Sequence, residues 1–236
     1  MSTQMPEHGE HEELGLTYAG LVIGADSAEP VRATLSALRF SGYLGPVEQP
    51  AERPWLVAVA DNPGGAVAGD RTGIAALTAR LAERLGTTVL GATVLRDQVL
   101  RLDWAGPDAG HYDSDPSYGL PEDDETMPDP VGVDALEGLA RACGRPDQAE
   151  DLTELLAEEI DRTSTYESER LRAALRLLGM PAWLIASDSL PRDVPGGPGR
   201  GEVARLRAGA SGARGVARGL LVHPIRRRRT PRRTDH

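Results

Sequence analysis

The residues with the clearest chemical potential lie in the string His111-Tyr112-Asp113-Ser114-Asp115-Pro116. Carboxylates two residues apart, followed by further acidic residues, supply the oxygen ligands that Mg²⁺ and Ca²⁺ take in proteins. Asp113 and Asp115 are therefore candidate metal ligands. The string is not a calcium-binding EF-hand loop, because Tyr118 and Asp124 stand where that loop needs Gly and Glu. The alternative interpretation is a turn built on aspartate side chains ahead of the proline.

The chain has few side chains that could act in nucleophilic catalysis. His111 is the only histidine outside the terminal segments, and Cys143 is the only cysteine. One cysteine excludes an internal disulfide, and so few Cys and His residues exclude a structural zinc site. The Gly-rich stretch 61–73 has neither the P-loop lysine nor the glycine spacing of a dinucleotide-binding loop. We therefore predict no cofactor.

A second candidate site is the Arg-rich C-terminal region. Residues 200–236 contain eleven Arg against Glu202 and Asp235, a net charge of +9, which leaves -19 on the rest of a chain whose total is -10. Such a segment attracts nucleic acid or anionic membrane by neutralising phosphates, whereas the acidic body repels both. The candidate polyanion-binding residues are Arg226, Arg227, Arg228, Arg229, Arg232 and Arg233.

Composition predicts a cytoplasmic protein. All 26 basic residues are Arg, which is typical of a GC-rich genome such as those of actinobacteria. The first 13 residues carry four Glu and no basic side chain, unlike a signal peptide. The longest nearly apolar stretch, residues 15–25, is too short for a transmembrane helix. We therefore expect neither export nor a membrane span.

The elements that position these residues alternate in type. Apolar runs at residues 16–23 and 55–60 predict buried strands, and residues 87–95 and 99–104 predict a hairpin. Helices are expected after Ser27, which is a good N-cap, and over residues 74–85, where Ile74, Leu77, Leu81 and Leu85 share a face. We expect residues 42–53 to form a loop, with at most a short strand at 43–44.

The second half is predicted to be mainly helical. Residues 105–130 are acidic and rich in turn formers, so a long loop is expected there, and short helices follow at 134–143, 151–160 and 167–178. A last strand is predicted at 181–185. The expected fold is α/β (α+β), with a small mixed β-sheet, packed helices and a C-terminal three-helix group. The predicted organisation is a disordered acidic leader (1–13), one domain (14–190), and a Pro/Gly linker with a disordered Arg-rich tail (191–236).

Several strings together resemble a family of bacterial α/β proteins. They are WLVAVA, IAALTARLAERLG, TTVLGATVLRDQVLRLDW, YDSDPSY and ERLRAALRLLGMPAW. In that family a hairpin is followed by Tyr-[Asp/Asn]-Ser-x-Pro-x-aromatic and later by a helix ending in Leu-Gly-x-Pro. The resemblance covers roughly residues 17–185 and implies the fold, but no activity and no catalytic residue. Leu171 departs from the pattern, since the relatives tend to have His there.

The leading functional hypothesis is a non-enzymatic protein-interaction or regulatory module with a protein partner. This hypothesis depends on three features of the sequence. The chain has no Lys, it has one His and one Cys outside the terminal segments, and no motif has the residues and spacing of a nucleotide-binding or metal-binding site. Two alternatives stay open: a metal-dependent enzyme that uses Asp113 and Asp115, and a tether that makes weak contact with nucleic acid or anionic membrane through the Arg-rich tail.

Overall fold

The computed structural model of the chain describes residues 15–62, 66–67, 72–119, 129–158, 166–190 and 192–212. Within them the strands are β1 (Tyr18–Gly24), β2 (Gly42–Glu48), β3 (Trp55–Ala60), β4 (Val89–Leu95), β5 (Val99–Ala105), β6 (Gly110–Asp113) and β7 (Ala204–Leu206). The α-helices are α1 (Ala28–Ala37), α2 (Ile74–Leu85), α3 (Leu136–Ala142), α4 (Ala149–Ala157) and α5 (Glu167–Leu177). Short 3₁₀ helices cover Val133–Ala135, Pro146–Gln148 and Ala182–Ser189. The predicted mixed α/β class is confirmed.

The seven strands form one sheet in the order β6-β5-β4-β1-β3-β2-β7. Every neighbouring pair is antiparallel, where a mixed sheet was predicted. The physical reason is an interleaving of two β-α-β units. β1 and β2 run in the same direction but β3 lies between them, and β3 and β4 run in the same direction but β1 lies between them. The two β-α-β units indicated by the sequence are present, but a strand of the other unit lies between the two parallel strands of each.

Helices cover both faces of the sheet. On one face α3, α4, α5 and the 3₁₀ helix Ala182–Ser189 pack over a core that includes Val22, Trp55 and Tyr112. On the other face α1 and α2 pack over a core that includes Ile23 and Leu81. A central strand that is buried on both faces has a continuous run of apolar residues, so β3 could be predicted from the sequence.

Helix ends and the hairpin turn form at residues whose local preferences favour them. The Ser27 side chain accepts a hydrogen bond from the Glu29 N–H and caps α1. Gly86 adopts a left-handed conformation and ends α2. The β4–β5 hairpin turns through residues 96–98; Arg96 and Asp97 have positive φ, as the central residues of a type I′ turn do, and the Gln98 N–H donates to the Leu95 carbonyl.

Three elements differ from the predictions. Residues 42–48 form β2, because β3 and β7 supply hydrogen-bond partners on both sides and a register shift between Leu44 and Val47 accommodates the intervening glycine and proline. The predicted loop 105–130 contains β6, which pairs with β5. The predicted strand 181–185 lies in the 3₁₀ helix Ala182–Ser189, where a short apolar run packs on the sheet as helix instead.

The ordered chain continues past residue 190. β7 pairs with β2, Leu206 is buried, and the Arg205 guanidinium lies 4.6 Å from the centre of the Tyr43 ring. A linker and tail were predicted from residue 191, so this part of that prediction is corrected. Because the 3₁₀ helix and β7 follow α5, helices α3 to α5 are not a C-terminal group. The predicted leader 1–13 lies outside the described residues.

Candidate functional site

The tip of the β4–β5 hairpin holds the start of α5. The Asp97 carbonyl accepts a hydrogen bond from the Glu167 N–H at 3.1 Å, and the Asp97 carboxylate accepts one from the Ser168 N–H at 2.7 Å. These are two of the N–H groups that a helix N-terminus leaves without internal partners. The Tyr18 hydroxyl donates to the Ser168 hydroxyl at 3.0 Å, and burial raises the pKa of Tyr18.

The structure places Asp113 at the end of β6 and Asp115 in the turn that follows it. Asp113 accepts hydrogen bonds from the Arg101 side chain at 2.8 Å and from the Asp115 N–H at 3.1 Å. Asp115 is fully buried, and its Oδ1 accepts from the Ser117 N–H at 3.1 Å and the Ser117 hydroxyl at 2.6 Å. Both carboxylates thus make the side-chain turns that the sequence offered as an alternative to metal binding.

A buried polar network joins the same region to α4 and α5. Arg170 donates to the Leu155 carbonyl at 3.0 Å, the Leu156 carbonyl at 2.9 Å and the Tyr112 hydroxyl at 3.3 Å. Its other terminal nitrogen lies 3.1 Å from Oε1 of Glu167, whose side chain is fully buried. Since the last carbonyls of a helix lack internal donors, Arg170 acts as the C-terminal cap of α4.

Burial controls the ionisation of this network. It raises the pKa of Glu167, while the neighbouring Arg170 charge lowers it by less. Among the described residues, Glu167 Oε2 has no hydrogen-bond partner. Burial likewise raises the pKa of Tyr112 to about 12, so this hydroxyl stays protonated and donates to the Leu156 carbonyl at 2.8 Å.

Glu167 and Arg170 were not among the predicted site residues, although the sequence carries a signal for them. The apolar face of α5 contains Leu171 and Ala174, and Glu167 and Arg170 each precede one of them by four residues. Residues four apart lie on the same side of a helix. The buried face therefore continues back through both charged side chains.

His111 and Cys143 lie on opposite faces of the sheet. Cys143 is buried at the end of α3 in the same core as Tyr112, whereas His111, the next residue along β6, is exposed on the opposite face of the sheet. Burial raises the pKa of the Cys143 thiol to about 12, which leaves it protonated and unreactive. His111 instead stands opposite Asp103 of β5, and burial raises the pKa of that carboxyl while the His111 charge lowers it.

A groove of about 860 Å³ runs along the outer surface between α4 and α5. Its floor includes the partly exposed Leu155, Ala173 and Leu177. Asp151, Glu154 and Glu158 line the α4 side and Arg176 lines the α5 side, and all four are exposed. An apolar floor with three carboxylates along one side can bind a segment that presents apolar and basic side chains together. This surface was not predicted from the sequence.

In the described part of the chain, no three His, Cys, Asp or Glu side chains gather closely enough to hold a metal ion. No helix there is long and apolar enough to cross a bilayer. The candidate polyanion-binding residues, Arg226 to Arg229 with Arg232 and Arg233, lie outside the described residues. Comparison with protein-family models, curated proteins and solved structures gives no match. The resemblance noted from the sequence therefore stays a prediction.

Proposed function

We propose that this chain is a non-enzymatic protein-interaction module, and that the groove between α4 and α5 binds a basic segment of a partner protein. The observation that carries the proposal is the groove itself, with an apolar floor and three carboxylates along its α4 side. The partner would be met in the cytoplasm, as the sequence predicts.

The charges of α4 favour a basic ligand. Glu150, Glu154 and Glu158 follow one another at four-residue spacing, and residues 149–158 contain no basic residue. Like charges at this spacing destabilise a helix, and a negative charge at its C-terminal end opposes the helix dipole. No described residue forms an ion pair with any of the three. A bound basic segment would relieve this repulsion.

The groove is also held in a fixed shape. Arg170 ties the carbonyls of Leu155 and Leu156 to α5, and Tyr112 ties the same end of α4 to the sheet. A rigid site loses little conformational freedom when a ligand binds, which favours affinity. The buried network thus supports the proposal by fixing the two helices that form the groove walls.

The test is quantitative affinity capture with the full chain, followed by identification of the bound proteins. A variant carrying Glu150→Gln, Glu154→Gln and Glu158→Gln removes three charges from α4. The matched control carries Glu29→Gln, Glu52→Gln and Glu83→Gln, which removes three charges from exposed positions away from the groove. Thermal melts would establish that both variants fold.

We expect the unmodified chain and the control to retain the same basic proteins, and the α4 variant to lose them. Retention should fall with salt, because exposed charges are screened. Equal retention by all three proteins would contradict the proposal, and so would equal loss from both variants.

A further inference from the structure

We infer that residues 220–229 of this same chain occupy the α4–α5 groove and compete there with the partner. The inference rests on the proposed function, because it assigns a regulatory occupant to the same groove. It goes further in naming a segment whose chemistry can be compared with the groove residue by residue.

The segment has the two properties that the groove requires. Leu220, Leu221, Val222 and Ile225 are apolar, and the only run of four consecutive Arg in the chain, 226–229, follows them directly. The apolar residues match the floor of Leu155 and Leu177. The arginines match the carboxylates on the α4 side, since guanidinium groups form paired, charge-assisted hydrogen bonds with carboxylates.

The chain is long enough for this contact. The last described residue is Gly212, and 13 residues lead from it to Ile225 and 17 to Arg229, which span about 43 Å and about 56 Å when extended. β7 and β6 stand at opposite edges of the sheet, six strand spacings or about 29 Å apart. A tethered segment that can reach its site has an effective concentration in about the millimolar range, so even a weak contact is populated.

The test is cross-linking in the full chain. Ala157→Cys places a thiol at the exposed end of α4 beside the groove, and Thr230→Cys places one directly after the four arginines. The matched control pairs Thr230→Cys with Ala79→Cys, because Ala79 is an exposed alanine of α2 on the other face of the sheet. Cys143 does not interfere, since it is buried and its thiol stays protonated.

We expect a short bismaleimide to link Ala157→Cys to Thr230→Cys within one chain, several-fold more than it links the control pair. The yield should fall several-fold in about 1 M NaCl and when Glu154→Gln and Glu158→Gln are added. Equal yields at the two positions, links only between separate chains, or no link at all would each overturn the inference.

A second measurement separates this inference from the proposed function. Replacing Arg226 to Arg229 with Gln should raise partner capture several-fold if the segment competes. Capture that depends on the α4 charges but not on these arginines would overturn the inference and leave the proposed function standing. Cross-linking as expected, with capture insensitive to the α4 charges, would support the inference and contradict the proposed function.

Discussion

Arg170 joins α4, α5 and the sheet through its guanidinium group. Its guanidinium supplies donors to two α4 carbonyls and to Tyr112, and its positive charge is buried beside Glu167. A buried charge that loses its partner is strongly destabilising, even where the intact pair adds little net stability. Glu167 therefore matters mainly because it accompanies a buried arginine.

Glu167→Gln should change how stability depends on pH. The folded state raises the pKa of Glu167 above its ordinary value of 4.5, so between these two values the folded chain binds more protons than the unfolded chain. Stability from this group is therefore lost as pH rises through that window. Glutamine cannot titrate, so the plot of unfolding free energy against pH should fall less steeply in the variant.

Urea melts from about pH 4 to about pH 8 measure this dependence. Glu48 and Asp103 also have raised pKa values, so the difference between the unmodified chain and the variant isolates Glu167. Glu169→Gln, at an exposed position on the same helix, is the control. Parallel curves for the unmodified chain and Glu167→Gln would contradict the prediction.

Asp115→Ala should lower stability by about 1 to 3 kcal/mol, because the Ser117 N–H and hydroxyl would lose their acceptor. Asp115→Asn, which keeps a carbonyl oxygen, should cost less. Chemical denaturation measures both. Calorimetric titration would support the metal-enzyme alternative if it found sub-millimolar Mg²⁺ or Ca²⁺ binding that Asp115→Ala abolishes.

Among the helices, α2 offers the clearest test of packing. Leu81 is completely buried in the core beneath α1 and α2. Leu81→Ala should cost about 2 to 5 kcal/mol, measured by denaturant melts. Leu16→Ala is the matched control, because that leucine is 40% exposed. A change below roughly half a kcal/mol for Leu81→Ala would place the residue among surface positions.

Elements with strong local signals could be predicted from the sequence, and weaker ones could not. Val22, Leu56, Leu81 and Leu175, which lie in long apolar runs or on the apolar faces of helices, are all buried. β2 was missed because glycine and proline are rare within strands. β6 and β7 contain only four and three residues, and neighbouring strands rather than local preference make them extended.

The features of the candidate site also differ in whether they could be predicted from the sequence. The turn at Asp113 and Asp115 depends on neighbours within two residues, so its composition revealed it. The contact of Arg170 with Tyr112 joins residues 58 positions apart. A groove between two helices likewise depends on how they pack, which one helix pattern does not specify.

Across the whole molecule, charge is divided between an acidic body and a basic C-terminal region, although Arg205 already forms an ion pair with Asp61 in the sheet. We predict weak, sequence-independent nucleic-acid binding by the full chain and stronger binding by a peptide of residues 213–236. Six candidate arginines allow a slope of at most about −5 in a log-log plot of affinity against salt.

Gel shifts at several salt concentrations measure this binding. Replacing Arg226 to Arg229 with Gln in the full chain should remove most of it, whereas Arg32→Gln on α1 should not. Tight binding by the full chain, or binding that survives loss of the four arginines, would contradict the separation of charge described above.

The pairing of β2 with β7 sets an order of events during synthesis. The two strands are separated by 155 residues, which take about 10 to 30 s to translate. During that interval β2 is a sheet edge with unpaired backbone groups, the feature through which nascent chains aggregate. Pro46 and the irregular register after Leu44 interrupt that edge. These features, which hid β2 in the sequence, protect the chain until β7 emerges.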